Sequence, residues 1–250
     1  MGADDGGSNG RREDDSAILI FGGAAFMIRL SDVRFCYPTG EFSLAIPEMS
    51  VAAGEKVAVI GPSGSGKTTL LNLVAGILSP DNGGIDVAGN DLDKADDQTR
   101  RDFRIKNIGF VFQDFGLIDY LDVLDNILHP YRITSSLKLT PQIRQQALEL
   151  AGQLGVGARL KHFPTTLSHG ERQRVAICRA LLPEPKIILA DEATGNLDPD
   201  NKQLILDALF EAASIHNTTL LAVTHDHELL GRFDRIIDFR NFLVPEPEAS

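Results

Sequence analysis

Apolar and polar positions divide the chain into a β-rich opening, an alternating β/α stretch, a helical stretch and a second alternation. From Met27 onward, MIRLSDVRFCY sets Ile28, Leu30, Val33 and Phe35 at strand spacing. FSLAIPEMSVAAGEKVAVI continues in the same way, with AAGEK as the turn before the strand at 56–60. Leu70, Leu71, Leu73, Val74 and Ile77 then fall at helical spacing, and Ser79-Pro80 predicts the end of that helix. PDNGGIDVAGNDL reads as turn, strand, turn. A polar helix is predicted over about 96–105, followed by the strand IGFVF at 108–112.

From about Gly116 to Pro164 the period becomes helical. Ile143, Ala147, Leu150, Ala151 and Leu154 share one helix face, which predicts an inserted helical subdomain over about 115–165. Alternation then resumes with a helix over about 170–182, KIILA at 186–190, a helix carrying Leu204, Ile205, Ala208 and Leu209, and TLLAV at 219–223. Strands alternating with helices predict an α/β fold with a mostly parallel sheet. Residues 1–26 read as a disordered or non-native leader, residues 27–245 as one domain and 246–250 as a tail; translation from Met1 or Met27 is open.

Charge narrows the partners. Lys+Arg 24 against Asp+Glu 35 gives a net charge of -11, the wrong sign for a nucleic-acid footprint. The apolar run AILIFGGAAFMI falls short of the roughly 18 residues that span a membrane, so a soluble chain is expected. The two cysteines, Cys36 and Cys178, are expected to be free and buried.

The chemistry centres on Gly61, Pro62, Ser63, Gly64, Ser65, Gly66, Lys67, Thr68 and Thr69. This stretch fits G-x-x-x-x-G-K-[ST] between a strand and a helix, the phosphate-binding loop of P-loop NTPases. Glycines let successive N–H groups turn inward toward phosphate oxygens, and the helix start adds its positive dipole end. Lys67 suits the β- and γ-phosphates, and the Thr68 hydroxyl suits Mg²⁺. Downstream, KIILADE runs four apolar residues into two carboxylates at a strand end. Asp191 there suits Mg²⁺ and Glu192 an attacking water; read without the phosphate loop, the same residues are a solvated strand end.

VFQD at 111–114, LSHGERQR at 167–174, TGNLD at 194–198 and VTHDHE at 223–228 complete an ordered set. With these motifs the chain resembles the ATPase subunit of an ATP-binding-cassette (ABC) transporter from about Met27 to Asn241. The resemblance implies a P-loop NTPase core with an N-terminal antiparallel β subdomain and an inserted helical subdomain, which binds and hydrolyses ATP with Mg²⁺. By position, Tyr37 matches the adenine-stacking aromatic, with Phe35 as a competitor. Gln113 matches the glutamine that touches Mg²⁺ and the lytic water, and His225 the histidine on the γ-phosphate. Ser168, His169, Gly170 and Glu171 match the signature loop that meets ATP held by a second subunit, and Asp198 an acidic residue at that seam. The resemblance therefore implies a head-to-tail homodimer on ATP and a separate integral membrane permease-type subunit, with the cassette at the inner face of the cell membrane.

YPTGEF, IGFVFQDFGLIDYLDVLDNI and ADEATGNLDP are most similar to the lipoprotein-release, macrolide-export and cell-division group. A non-transporting regulator of a membrane complex, as in cell division, is the alternative. The apolar residues Phe115, Leu117, Ile118, Leu121 and Leu124 suggest a groove for a helix of the membrane partner, or a subdomain core. His169 departs from the family's glycine and Glu171 from its glutamine. His169 is expected either to face solvent or to lie near the phosphates.

Overall fold

The computed structural model describes residues 26–39, 42–193, 199–215 and 217–242. Of the segment 1–26 read as a leader, residues 1–25 lie outside the described residues and Phe26 instead opens the first strand, paired with Ala52; the TGNLD stretch with Asp198 and the tail 246–250 also lie outside the described residues.

The chain opens with two long antiparallel strands, β1 (Phe26–Cys36) and β2 (Ser43–Ala52). With β4 (Asn82–Val87) and β5 (Asn90–Asp91) they form a four-stranded sheet in the order β2-β1-β4-β5. Ile28, Leu30, Val33 and Phe35 are all buried, although Leu30 and Val33 are three apart and strict alternation would put them on opposite faces. An irregularity resolves this. Asp32 takes φ 50, and the β1–β4 register shifts between Ser31 and Arg34. The extra residue returns Val33 and Phe35 to the core face.

The second sheet has five parallel strands in the order β6-β7-β8-β3-β9. They are β3 (Lys56–Ile60), β6 (Ile108–Val111), β7 (Ile187–Asp191), β8 (Thr219–Val223) and β9 (Arg235–Asp238). Both faces are covered, which explains the unbroken apolar runs in β7 and β8. Ile187, Leu189, Leu221 and Val223 join a core shared with the antiparallel sheet and α1 (Lys67–Val74). Ile188, Ala190, Leu220 and Ala222 join a second core formed with the helices of the inserted region and α6 (Pro199–Ile215).

The inserted region contains α3 (Val123–Leu128) and α4 (Pro141–Gln153) and leads into α5 (His169–Leu181). Ala147, Ala151 and Leu154 of the predicted face are buried, and Ile143 and Leu150 pack against them.

Two further expectations need correcting, and for a third the structure favours one of its two alternatives. The helix after the phosphate loop ends at Val74, short of Ser79-Pro80, because Gly76 turns left-handed (φ 62) and its N–H closes on the Leu73 carbonyl. Arg104 of α2 (Asp97–Asn107) donates to the freed Ala75 and Gly76 carbonyls, and Ile77 is left exposed. Cys36 is exposed at the end of β1, while Cys178 is buried in the second core, where burial pushes its thiol up to about 12. Phe115 is buried, and Leu117 and Leu124 pack on the second core. The subdomain-core reading therefore accounts for these three residues, and the exposed aromatic of the segment is Tyr120, at 81%.

Candidate active site

Parallel strands run in one direction, so the loops after their carboxyl ends gather on one edge. Here β3 runs into Gly61, β6 is followed by Gln113, β7 ends on Asp191 with Glu192 next, and β8 gives way to Thr224 and His225. These loops and the first turn of α1 bound a cavity of about 610 Å³. Its walls include Ser63, Gly64, Gly66 and Lys67–Thr69 on one side and Gln113, Glu192 and His225 on the other.

The phosphate loop has the geometry its glycines predict. Gly61, Gly64 and Gly66 all have positive φ. At Gly66 (φ 96) a Cβ would also come within 2.5 Å of the Phe42 ring, so conformation and space both require glycine there. Gly66 caps α1 and supplies no side-chain acceptor, and no acid lies in the first turn. The opening N–H groups of α1 are thus without a side-chain cap, as an anion site needs. Lys67 is 6% exposed and lies back across the loop, where Nζ donates to the carbonyls of Gly61 (2.9 Å) and Pro62 (2.7 Å). Burial lowers its pKa, while Glu192 and Asp191 pull it up. Ser65 is buried, and its Oγ has no hydrogen-bond partner among the described residues.

Opposite stand the carboxylates. Asp191 is buried and its pKa is raised, first by burial and further by the Glu192 charge, while a hydrogen bond from Thr68 opposes the rise. Glu192 adopts φ 47, and its N–H donates to the Val223 carbonyl of β8. This kink turns its carboxylate into the cavity, where Oε1 lies 2.8 Å from His225 Nε2 and Oε2 accepts from Gln113 Nε2 at 3.4 Å. Three predicted residues from three strands therefore meet at one carboxylate.

Tyr37 lines the mouth and its hydroxyl pairs with Thr69 Oγ1 at 3.1 Å. Phe35 is buried and meets Tyr37 edge-on at 4.9 Å, supporting it from behind. Phe42 also lines the cavity, with its ring 5.9 Å from Tyr37; its position five residues after Tyr37 was the available signal.

Ser168, His169, Gly170 and Glu171 do not line this cavity. They form the start of α5, where Ser168 and Glu171 make a reciprocal capping box. Ser168 Oγ accepts from the Glu171 N–H (3.2 Å), and the Glu171 carboxylate accepts from the Ser168 N–H (2.8 Å). Arg159 also donates to Glu171 at 2.8 Å. The Ser168 N–H and Arg159 together hold the Glu171 carboxyl down to about 2. His169 is exposed to solvent on one side, and on the other its ring meets Phe115 edge-on at 4.6 Å.

Asn126 is a further residue the sequence reading missed. Fully buried in α3, it accepts from the Ile118 N–H and donates to the carbonyls of Ile118, Leu121 and Asp122. It thereby shapes the loop after Gln113 that exposes Tyr120. Next to Asp125 in the sequence, it carries no signal of this role. Among the described residues there is no cluster of His, Cys, Asp and Glu that could hold a metal through the protein alone, and no helix long and apolar enough to cross a membrane.

Known proteins resemble this chain in sequence and in fold. The sequence profile of the ABC transporter family matches residues 44–195. The lipoprotein-releasing system ATP-binding protein LolD of Psychrobacter arcticus is 39% identical over 86% of this chain and 96% of its own length. The macrolide export ATP-binding/permease protein MacB of Rhodopirellula baltica is 40% identical over 88% of this chain, which spans only 33% of that protein. The uncharacterized ABC transporter ATP-binding protein YbbA of Escherichia coli is 42% identical over 83% of this chain and 91% of its own length. A solved dimeric ATP-binding cassette in a post-hydrolysis state, bound to ADP and Pi, matches with a TM-score of 0.78 at 34% identity, covering 85% of this chain and 94% of that one.

Proposed function

Because the chain belongs to the ABC transporter family as an ATP-binding and ATP-hydrolysing subunit, we propose that it closes head-to-tail with a second copy around two ATP molecules and so drives a separate membrane permease subunit. The observation that carries the reading is the meeting of Glu192, Gln113 and His225 across one cavity from Lys67 and Thr68.

In this reading the uncapped start of α1 and Lys67 bind the β- and γ-phosphates, and Lys67 exchanges its bonds to Gly61 and Pro62 for phosphate oxygens. Tyr37, braced by Phe35, stacks on the adenine. Glu192 holds the attacking water and takes its proton, while His225 and Gln113 fix the direction of that carboxylate. Mg²⁺ suits the hard oxygen donors of Thr68, Gln113 and Asp191, and a bound cation would oppose the burial that raises the Asp191 pKa. When bound, the ion neutralises charge on the β- and γ-phosphates.

Ser168 and Gly170, with His169 and Glu171 alongside, serve the γ-phosphate of the second copy. Ser168 Oγ accepts a bond inside its own chain and keeps its hydroxyl proton to donate outward. Asp198, outside the described residues, is assigned to the same seam. Likeness to LolD over nearly its whole length supports a membrane partner of the lipoprotein-releasing type at the cytoplasmic face of a membrane; macrolide export belongs to a MacB protein three times as long as the match.

The test is Glu192→Gln. ATP binding is expected to persist while turnover falls by about 10²–10⁴, and the variant is expected to accumulate as an ATP-bound dimer by light scattering. A variant that stays monomeric at high concentration with saturating ATP would overturn the shared site.

A further inference from the structure

Two loops serve two different nucleotides in the reading above. The Gln113 loop faces the nucleotide of its own chain, and the start of α5 faces that of the second copy. Within one chain the two are fastened together at Phe115, two residues after Gln113. Phe115 holds a left-handed backbone (φ 66), a costly conformation for a bulky residue that persists only when its surroundings impose it.

Those surroundings come largely from α5. Arg179 donates to the carbonyls of Phe115 and Gly116. Arg172 sets its guanidinium 5.5 Å from the centre of the Phe115 ring. His169, next to Ser168, closes the set with its ring edge-on to Phe115 at an interplanar angle of 79°. Arg179 attaches along the body of α5, whereas Arg172, whose N–H bonds to the Ser168 carbonyl, and His169 attach its first turn, and of these two His169 is the one next to Ser168. The family's usual glycine at this position has no side chain with which to make that contact.

We propose that His169 is a positioning residue. By packing on Phe115 it ties Ser168 to the Gln113 loop, so that the response of one chain's Gln113 to its own nucleotide sets the place of the serine offered to the other chain's ATP. The inference rests on the ATP-bound dimer proposed above. Of the two expectations for His169, the solvent-facing one holds for one side of the ring, while the other side rests on Phe115 and the ring does not border the chain's own phosphate cavity.

The experiment compares wild type with His169→Gly, His169→Phe, Phe115→Leu and the double variant His169→Gly/Phe115→Leu. For each it measures steady-state ATPase, ATP affinity and melting temperature. An edge-on aromatic contact corresponds to about a two- to tenfold change in rate. His169→Gly is expected to lose that much kcat with ATP affinity unchanged, because ATP first binds the P-loop side. His169→Phe keeps an aromatic ring without a titrating nitrogen and is expected to restore the rate. The double variant is expected to be no slower than the slower single one.

Wild-type turnover in His169→Gly would overturn the proposal. So would a His169→Phe as slow as the glycine variant, or losses that multiply in the double variant. Dimerisation of Glu192→Gln on ATP separates the two failures. Without it both readings fall; with it, a negative result in the His169 series removes this inference alone.

Discussion

Two helices of this chain, α1 and α5, begin where a phosphate is expected, and their first turns are built in opposite ways. The start of α1 is left open: glycine at the cap, no acid in the first turn, and a lysine folded back on its own loop. The start of α5 is closed: Ser168 and Glu171 satisfy each other's N–H groups, and Arg159 neutralises the carboxylate. An open start costs stability without ligand and gains it on binding, since ligand that binds only the folded state stabilises it. A closed start is stable alone and offers one outward hydroxyl. The first suits a resident nucleotide and the second a nucleotide that arrives already bound to another chain.

The largest effect that could break this contrast is at α1. We predict that Lys67→Ala lowers ATP affinity by about 10- to 100-fold, the cost of a charged hydrogen-bond donor, as measured by equilibrium binding of a fluorescent nucleotide. Unchanged affinity would mean the open helix start alone holds the phosphates. A smaller effect is expected at α5. Ser168→Ala should lower kcat by about tenfold and leave ATP affinity of the monomer as it is. The lost cap should also cost about 1 kcal/mol of stability, read by denaturant unfolding. If affinity fell with kcat, Ser168 would be serving its own chain.

The smallest effect sharpens the contrast through pH. Glu171 is held at about 2 in the folded chain against an ordinary 4.5. A depressed carboxyl contributes stability above the unfolded value and loses it as pH falls through the folded one. Glu171→Gln, which keeps a capping amide but no charge, should be less stable than wild type by about 1 kcal/mol at neutral pH. The two stability curves should converge between pH 4.5 and about 2. Parallel curves would show that neither the Ser168 N–H nor Arg159 favours the Glu171 charge at this helix start.

Much of the open start was legible in the sequence because its signal is local. Gly61 to Thr69 follow one another, and the strand before them is a plain apolar run. Most strands were legible along the chain, and TLLAV falls on β8 residue for residue, but β5, β9 and the order within the sheets were not. What escaped depends on distance or on backbone. The meeting of Phe115 with His169 joins positions far apart in the chain. The bulge at Asp32 hides inside a nearly regular alternation. Asn126 reads as a surface residue until the carbonyls it serves are seen. Cys36 was misplaced although the alternation that buries Val33 and Phe35 turns it to the outer face of a strand still paired with Ser43.

The left-handed backbone of Glu192 (φ 47) has an evolutionary consequence. A glutamate in that conformation costs roughly 1–2 kcal/mol that a glycine would not. Glu192→Gly should therefore give a chain that melts later and turns over no ATP. A lineage released from the need to hydrolyse would be drawn toward that substitution or toward asparagine, which tolerates the same turn. Persistence of the glutamate in a descendant would therefore report, from one codon, that turnover is still under selection.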